Sequence, residues 1–136
     1  MNNTRFATAI HILTILAADK DAWLNSDYIA GSINVNPVIV RKELIILQQA
    51  GLVESRKGKD GGARLSKSPN AITLTDIYKA VKNSDILGKR NLNTNPKCPV
   101  GKDINNRLET LYSETDLIVV NFLQNKTLEE FAGMFQ

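Results

Sequence analysis

Apolar residues near the start of the chain recur at steps of three and four positions. The members of this stripe are Phe6, Ala9, Ile10, Leu13, Leu16 and Ala17. This spacing places side chains on one face of a helix, so a helix is predicted over residues 4–18. Ile12 and Ile15 lie off the stripe, which indicates that a second element covers the helix from another side.

Two short helices are predicted next, separated by a three-residue break. Residues 27–33 form the first, with Ser26 as its N-cap. Asn36 and Pro37 begin the second, because an Asn cap accepts from a free amide and a proline at the first helical position removes no needed donor. This second helix is predicted to run to about Ala50. Its expected inward side chains are Val40, Leu44 and Leu47.

A basic hairpin is predicted after the helix pair. Residues 52–55 and 63–66 are short strand-like runs on either side of a glycine-rich basic segment, residues 56–62. The glycines suit a tight turn between antiparallel strands. A helix pair followed by a basic hairpin is typical of a winged helix-turn-helix.

The C-terminal half is predicted to contain a loop and a long helix. Thr73 and Asp76 form a capping-box start for a helix, whereas residues 83–103 show no clear periodicity. A helix of about 20 residues is then predicted from an apolar seam with alternating steps of four and three. The seam consists of Ile104, Leu108, Leu111, Thr115, Ile118 and Phe122. Val119 and Val120 widen the apolar side, so self-association is expected to cover it.

Positive charge is concentrated in one segment of the chain. The net charge is +3, and residues 41–67 hold seven basic and three acidic residues, whereas the remainder holds ten and eleven. A basic block on a neutral background favours a polyanionic partner, although charge alone is equally compatible with a solvated face.

The second short helix and the hairpin carry the candidate DNA contacts. Val38, Arg41 and Lys42 lie off the inward stripe of the helix, as does Ile45. Arg41 or Lys42 could donate to guanine, and Val38 could meet a thymine methyl group. Alternatively, Arg41 and Lys42 are ordinary surface residues on a solvated helix. The predicted DNA-binding residues are Asn36, Pro37, Val38, Arg41 and Lys42 in the helix, and Arg56, Lys57, Lys59 and Arg64 in the hairpin.

Residues 50–65 and 72–77 resemble the wing and the following helix of the Rrf2 family of bacterial transcription regulators. The runs Asn36-Pro37-Val38 and Cys98-Pro99-Val100-Gly101 resemble a branch of this family that lacks the iron–sulfur cysteines. The resemblance implies a mainly α fold with a small β-hairpin, a winged helix-turn-helix plus a long C-terminal dimerisation helix. It also implies a homodimer that binds double-stranded DNA at a two-fold operator, and we expect a repressor.

Better-studied Rrf2 regulators hold a [2Fe–2S] cluster through three cysteines in the loop before the dimer helix. Here Cys98 is the only cysteine of the whole chain. One thiolate per subunit cannot furnish the usual four-ligand site, even if a dimer supplied two. No cofactor and no metal site are therefore expected.

Three further side chains leave alternatives open. Cys98 is either a redox sensor, activated by Lys97 and Lys102, or a small residue that packs the loop. A small-molecule effector is the alternative signal. His11 is expected to be structural rather than a ligand. Trp23 could contact a ligand or DNA, but a cover over the helix-turn-helix core is expected.

The chain is divided by these predictions into a DNA-binding domain (1–82), a loop and sensor segment (83–103) and dimerisation helices (104–136). The apolar stretch at residues 7–18 falls short of the ~20 residues of a membrane span, and no secretory signal is recognised, so a cytoplasmic location is expected. The Asp and Glu residues are scattered and match no enzyme motif. A cysteine-dependent enzyme would have only His11 as a histidine base. The other alternative is a winged-helix protein-interaction module without DNA binding.

Overall fold

The computed structural model describes residues 4–82 and 85–135 as six helices, a two-stranded hairpin and a short 3-10 turn. In chain order these are helices α1 (Arg5–Ala18), α2 (Ser26–Ile33) and α3 (Pro37–Gln49), strands β1 (Val53–Arg56) and β2 (Gly62–Leu65), the turn (Pro69–Ala71), and helices α4 (Leu74–Val81), α5 (Pro99–Gln124) and α6 (Leu128–Gly133). The predicted mainly α fold with a small β-hairpin is confirmed.

Helix α1 lies at the centre of the hydrophobic core. Its residues Ile12, Leu13 and Leu16 are fully buried, and helices α3, α4 and α6 pack around it. The burial of Ile12 confirms that a second side of this helix is covered. The same core contains Leu47 of α3, Ile77 of α4 and Leu128 of α6.

The two helices of the helix-turn-helix begin at polar caps. The Asn36 side chain accepts from the Val38 amide at 2.9 Å, which confirms the predicted start of α3. At α2 the predicted cap is wrong by one residue, because Asn25 has the extended backbone of a cap and accepts from the Tyr28 amide at 2.8 Å. Ser26 is instead the first residue of that helix. Asn34 ends it in the left-handed conformation, at φ 65°.

The hairpin is joined by a third extended segment from the connection between α1 and α2. Strands β1 and β2 are antiparallel, with Arg56 opposite Gly62, and each is shifted by one residue from its predicted range. The Leu24 amide donates to the Ala63 carbonyl at 3.0 Å, and the Ala63 amide donates back to the Leu24 carbonyl at 2.8 Å. The wing is therefore attached by its backbone to the residues that precede α2.

Helix α5 begins at Pro99, five residues before the predicted start at Ile104, and is 26 residues long. Proline at the first helical position explains the earlier start, as Pro37 does for α3. The C-terminal part of the predicted loop is therefore helical, and Asn83 and Ser84 lie outside the described residues. Residues before Pro99 bond back to α5, since the Thr94 hydroxyl donates to the Gly101 carbonyl at 2.6 Å.

Polar contacts hold α5 against α4. The carboxylate of Asp116 accepts from the Tyr78 hydroxyl at 2.6 Å and from the Lys82 ammonium at 2.8 Å. These hydrogen bonds, chiefly that of Lys82, lower the pKa of Asp116, while burial and the carboxylate raise the pKa of Tyr78. The predicted capping box of Thr73 and Asp76 is present at the start of α4.

Within residues 4–82 and 85–135, no helix combines the length and the apolar character that crossing a membrane requires.

We predict that Gly62→Ala destabilises the fold more than Gly58→Ala does. Both glycines have positive φ, but a Cβ at Gly62 would lie 2.4 Å from the Leu24 carbonyl oxygen, whereas a Cβ at Gly58 meets nothing within 4 Å. The Gly58 variant should lose only the backbone preference, about 1 kcal/mol. Thermal unfolding would compare the two, and equal losses would contradict a close approach of Leu24 to the wing.

Candidate nucleic-acid interface

Helix α3 separates its side chains into a buried face and an exposed face. Val40, Leu44 and Leu47 enter the core, as predicted. The opposite face, which we call the recognition face, consists of the exposed residues Val38, Arg41, Lys42 and Ile45. This face combines two cations with apolar groups. Cations of this kind pair with guanine in a major groove, and apolar groups contact the thymine methyl group.

The two cations of the recognition face are available to a ligand. Arg41 lies 3.9 Å from the Asp27 carboxylate of α2, and both side chains are exposed, at 55% and 78%. An exposed ion pair at this distance contributes little stability, so a stronger anion can displace Asp27. Lys42 is exposed and has no ion pair with any residue that the structure describes.

Glu43 is a residue of α3 that the sequence analysis missed. It is only 7% exposed, and its carboxylate accepts from Arg5 Nε of α1 at 3.0 Å. This pair fixes the first half of α3 against the central helix. Glu43 comes three residues after Val40 and four before Leu47, which places it on the inward side of the helix. This spacing is the feature of the sequence that could have predicted its burial.

The hairpin contributes its basic residues in two different ways. Lys57 and Lys59 are exposed at the tip and make no hydrogen bond or ion pair within the described part of the chain. Arg56 and Arg64 instead lie over the ring of Trp23, with Cζ 4.7 Å and 4.2 Å from its centroid. Trp23 was expected to cover the helix-turn-helix core, but its described ring contacts are with the hairpin.

A shallow cleft of about 200 Å³ lies between α3 and the hairpin. Arg41, Ile45 and Gln48 line one side, and Ser55, Gly62 and Ala63 line the other. The fold therefore places α3 and the hairpin, which follow each other in sequence, side by side around one cleft. Of the predicted DNA-binding residues, Arg41 lines this cleft.

Cys98 lies away from this cleft, at the start of α5. It is exposed, and the backbone amides of Gly101 and Val100 hydrogen-bond to its sulfur and lower its pKa. The amides of the first helical turn are thus the cause of the shift, rather than the expected Lys97 and Lys102.

His11 hydrogen-bonds Ser32 at 3.0 Å and so links α1 to α2.

Comparisons with known sequences and with solved structures point to the same family of proteins. The sequence profile of the Rrf2 family, described as iron-dependent transcriptional regulators, matches residues 2–133. The protein YwnA of Bacillus subtilis (strain 168), provisionally named an HTH-type transcriptional regulator, is 40% identical over 130 residues, which are 96% of each chain. The chain belongs to the Rrf2 family of transcriptional regulators.

Two solved structures show the same architecture. A protein provisionally described as DNA-binding has 37% sequence identity and a TM-score of 0.74, with 93% of this chain and 97% of that chain covered. CymR (YrzC), the global cysteine regulator of B. subtilis, has a TM-score of 0.70 at 23% identity, with 98% and 97% covered. The second similarity supports the winged-helix fold alone.

The residues of this chain do not fit the iron site that the family description implies. Its sequence has one cysteine, and the part that the structure describes contains no grouping of three or more His, Cys, Asp or Glu side chains that could hold a metal ion. An iron–sulfur cluster needs four ligands, mostly thiolates. The family's metal chemistry is therefore not transferred to this chain.

Proposed function

We propose that this Rrf2 regulator binds double-stranded DNA as a homodimer on a two-fold operator and represses transcription in the cytoplasm. The observation that carries the proposal is the cleft between α3 and the hairpin, which Arg41 lines, together with the exposure of Lys42 on α3 and of Lys57 and Lys59 on the hairpin. Both elements can engage one duplex, with α3 in the major groove. A winged-helix module that binds only proteins would have little reason to keep Arg56, Lys57, Lys59 and Arg64 on one hairpin.

The proposed contacts divide into two roles. Val38, Arg41 and Lys42 face bases near the start of α3, where Asn36 and Pro37 fix the helix terminus. Lys57 and Lys59 reach phosphates beside that groove, and Arg56 and Arg64 add charge to the same hairpin. Phosphate contacts position the protein, and base contacts select the sequence.

The homodimer is supported by the surface of α5. None of its described side chains is fully buried, and Ile118 and Phe122 are 69% and 64% exposed. An apolar surface of this kind is costly in water, and a second copy of the same helix would cover it. On this basis residues 1–82 bind DNA, residues 83–103 connect, and the dimerisation segment expected at residues 104–136 reduces to α5, extended back to Pro99, because α6 packs against α1 in the core.

Selection of binding sites from random duplex DNA tests the proposal directly. We expect enrichment of an inverted repeat, whose half-site spacing reports the distance between the two recognition helices. Absence of enrichment, together with no affinity for any duplex at low salt, would favour the protein-interaction alternative.

We predict that Lys57→Ala/Lys59→Ala weakens specific and random duplexes alike. Each lost phosphate contact should reduce the slope of log K against log[salt] by ~0.9 per subunit. Fluorescence anisotropy at several salt concentrations measures this slope. Lys89→Ala/Lys102→Ala removes two exposed charges outside α3 and the hairpin, so it serves as a matched control. An unchanged slope in the wing variant would exclude phosphate contact there.

Arg41→Gln should act on sequence preference instead. If Arg41 donates to a guanine, its loss costs ~1–3 kcal/mol on the selected site and relaxes selection at one position of each half-site. The control is Arg107→Gln, at an arginine that is 83% exposed on α5. Equal weakening of all sequences would instead make Arg41 a phosphate contact.

Ile118→Asp should yield soluble monomers that bind the operator weakly. The substitution places a charge in the apolar surface of α5, where leaving it unpaired in an interface costs several kcal/mol. Ser113→Asp adds the same charge at an exposed position on another side of the helix and should remain dimeric. Sedimentation measures both, and a monomeric wild type at micromolar concentration would overturn the two-fold model.

Redox control through Cys98 is the proposed regulation. Its exposed sulfur and lowered pKa favour the reactive thiolate, and α5 connects it to the dimer surface. A coupling of ~1–3 kcal/mol would change operator affinity 5- to 150-fold.

Oxidation of Cys98 should therefore lower operator affinity. Binding is measured before and after treatment with diamide, for the wild type and Cys98→Ser in parallel. Wild-type binding that resists diamide, or equal loss in the serine variant, would make Cys98 a packing residue. A small-molecule effector would then be the better explanation of regulation.

A further inference from the structure

Trp23 lies in the connection between α1 and α2, directly before the residue that pairs with the hairpin. The next residue, Leu24, exchanges two backbone hydrogen bonds with Ala63 of β2, and Asn25 then caps α2. Side chains alternate between the two faces of an extended segment. Leu24 is partly buried against the core side of the hairpin, while the Trp23 ring lies against its outer face.

The outer face of the hairpin gathers two guanidinium groups on this ring. Arg64 lies opposite Glu54 in the strand register, and Arg56 follows on the same face two residues after Glu54. Their Cζ atoms are 4.2 Å and 4.7 Å from the ring centroid, which is within the range of cation–π contacts.

Each arginine has a second contact that orients it. Arg64 Nε donates to the Glu54 carboxylate at 2.5 Å, and Arg56 Nη2 donates to the Asp60 carbonyl in the turn at 2.6 Å. Two cations on one ring repel each other, so the aromatic face and these acceptors are what hold them together. The stack joins β1, β2 and the residues that lead into α2.

We propose that Trp23 is a positioning residue for DNA binding, which holds the wing at a fixed angle to the helix-turn-helix through Arg56 and Arg64. This inference rests on the proposed DNA-binding function. It assigns the four basic residues of the hairpin to two tasks: Lys57 and Lys59 reach the phosphates, and the two arginines act through the tryptophan.

A double-mutant cycle tests the assignment. The variants are Trp23→Leu, Arg64→Gln and the combination, and the probe is a fluorescein-labelled duplex of about 30 base pairs, which is room for two half-sites. Each single variant should weaken binding by about two- to fivefold, and the combination should weaken it no further than the stronger single variant. Multiplicative effects would show that the two residues act independently and would overturn the inference.

Two controls distinguish positioning from packing. Lys57→Gln does not touch the ring, so its effect should multiply with that of Trp23→Leu. Trp23→Phe keeps an aromatic face and should retain most of the affinity, whereas equal losses for leucine and phenylalanine would mean that only apolar volume matters. Wild-type protein that binds no duplex at any salt concentration would overturn the proposed function itself.

Intrinsic fluorescence keeps the test valid if Trp23→Leu fails to fold. Trp23 is the only tryptophan in the sequence, so its emission reports on the wing alone. We expect added duplex to change that emission in the wild type, and Arg56→Gln/Arg64→Gln to reduce the change. An unaltered response in the double variant would contradict a role of the stack in DNA binding.

Discussion

The burial of α1 on more than one side is the constraint on which the rest of the structure depends. Ile12 and Leu16 are inaccessible from any direction, so helices α3, α4 and α6 must all pack against this one helix. The ion pair between the partly exposed Arg5 and the buried Glu43 adds direction to the apolar contact, because a buried carboxylate is costly without a partner. The orientation of α3 is thereby determined, and with it the side of α3 that faces the solvent.

Local chemistry made much of the fold predictable from the sequence. Asn36 with Pro37 and Thr73 with Asp76 begin their helices where the pattern predicted, because caps satisfy amides within a few residues of themselves. The exposed face of α3 was equally predictable, since two positions along a helix turn the side chain to the opposite side, as from Lys42 to Leu44. Where two caps competed the pattern was less decisive, and Asn25 rather than Ser26 is the cap of α2.

Contacts between distant segments were not predictable in this way. The pairing of Leu24 with Ala63, and therefore the position of Trp23 on the wing, depends on how the chain returns after α3. Glu43 was missed because a charged residue is normally assigned to the surface, although its spacing placed it inside. The start of α5 was missed because only apolar periodicity was read, whereas the helix begins at Pro99 with a polar first part.

The connection before α5 shows how this chain differs from an iron-binding relative without losing the fold. A cluster would fasten such a loop through several thiolates, and this sequence offers one. Here hydrogen bonds fasten it instead: Arg90 donates to the Asn105 carbonyl at 3.1 Å, and Asn105 donates to the Asn91 carbonyl at 2.8 Å. These bonds need no metal, so polar groups of the chain itself hold the segment against α5. The exposed sulfur of Cys98 lies at the N-terminus of the same helix that carries the exposed apolar residues Ile118 and Phe122.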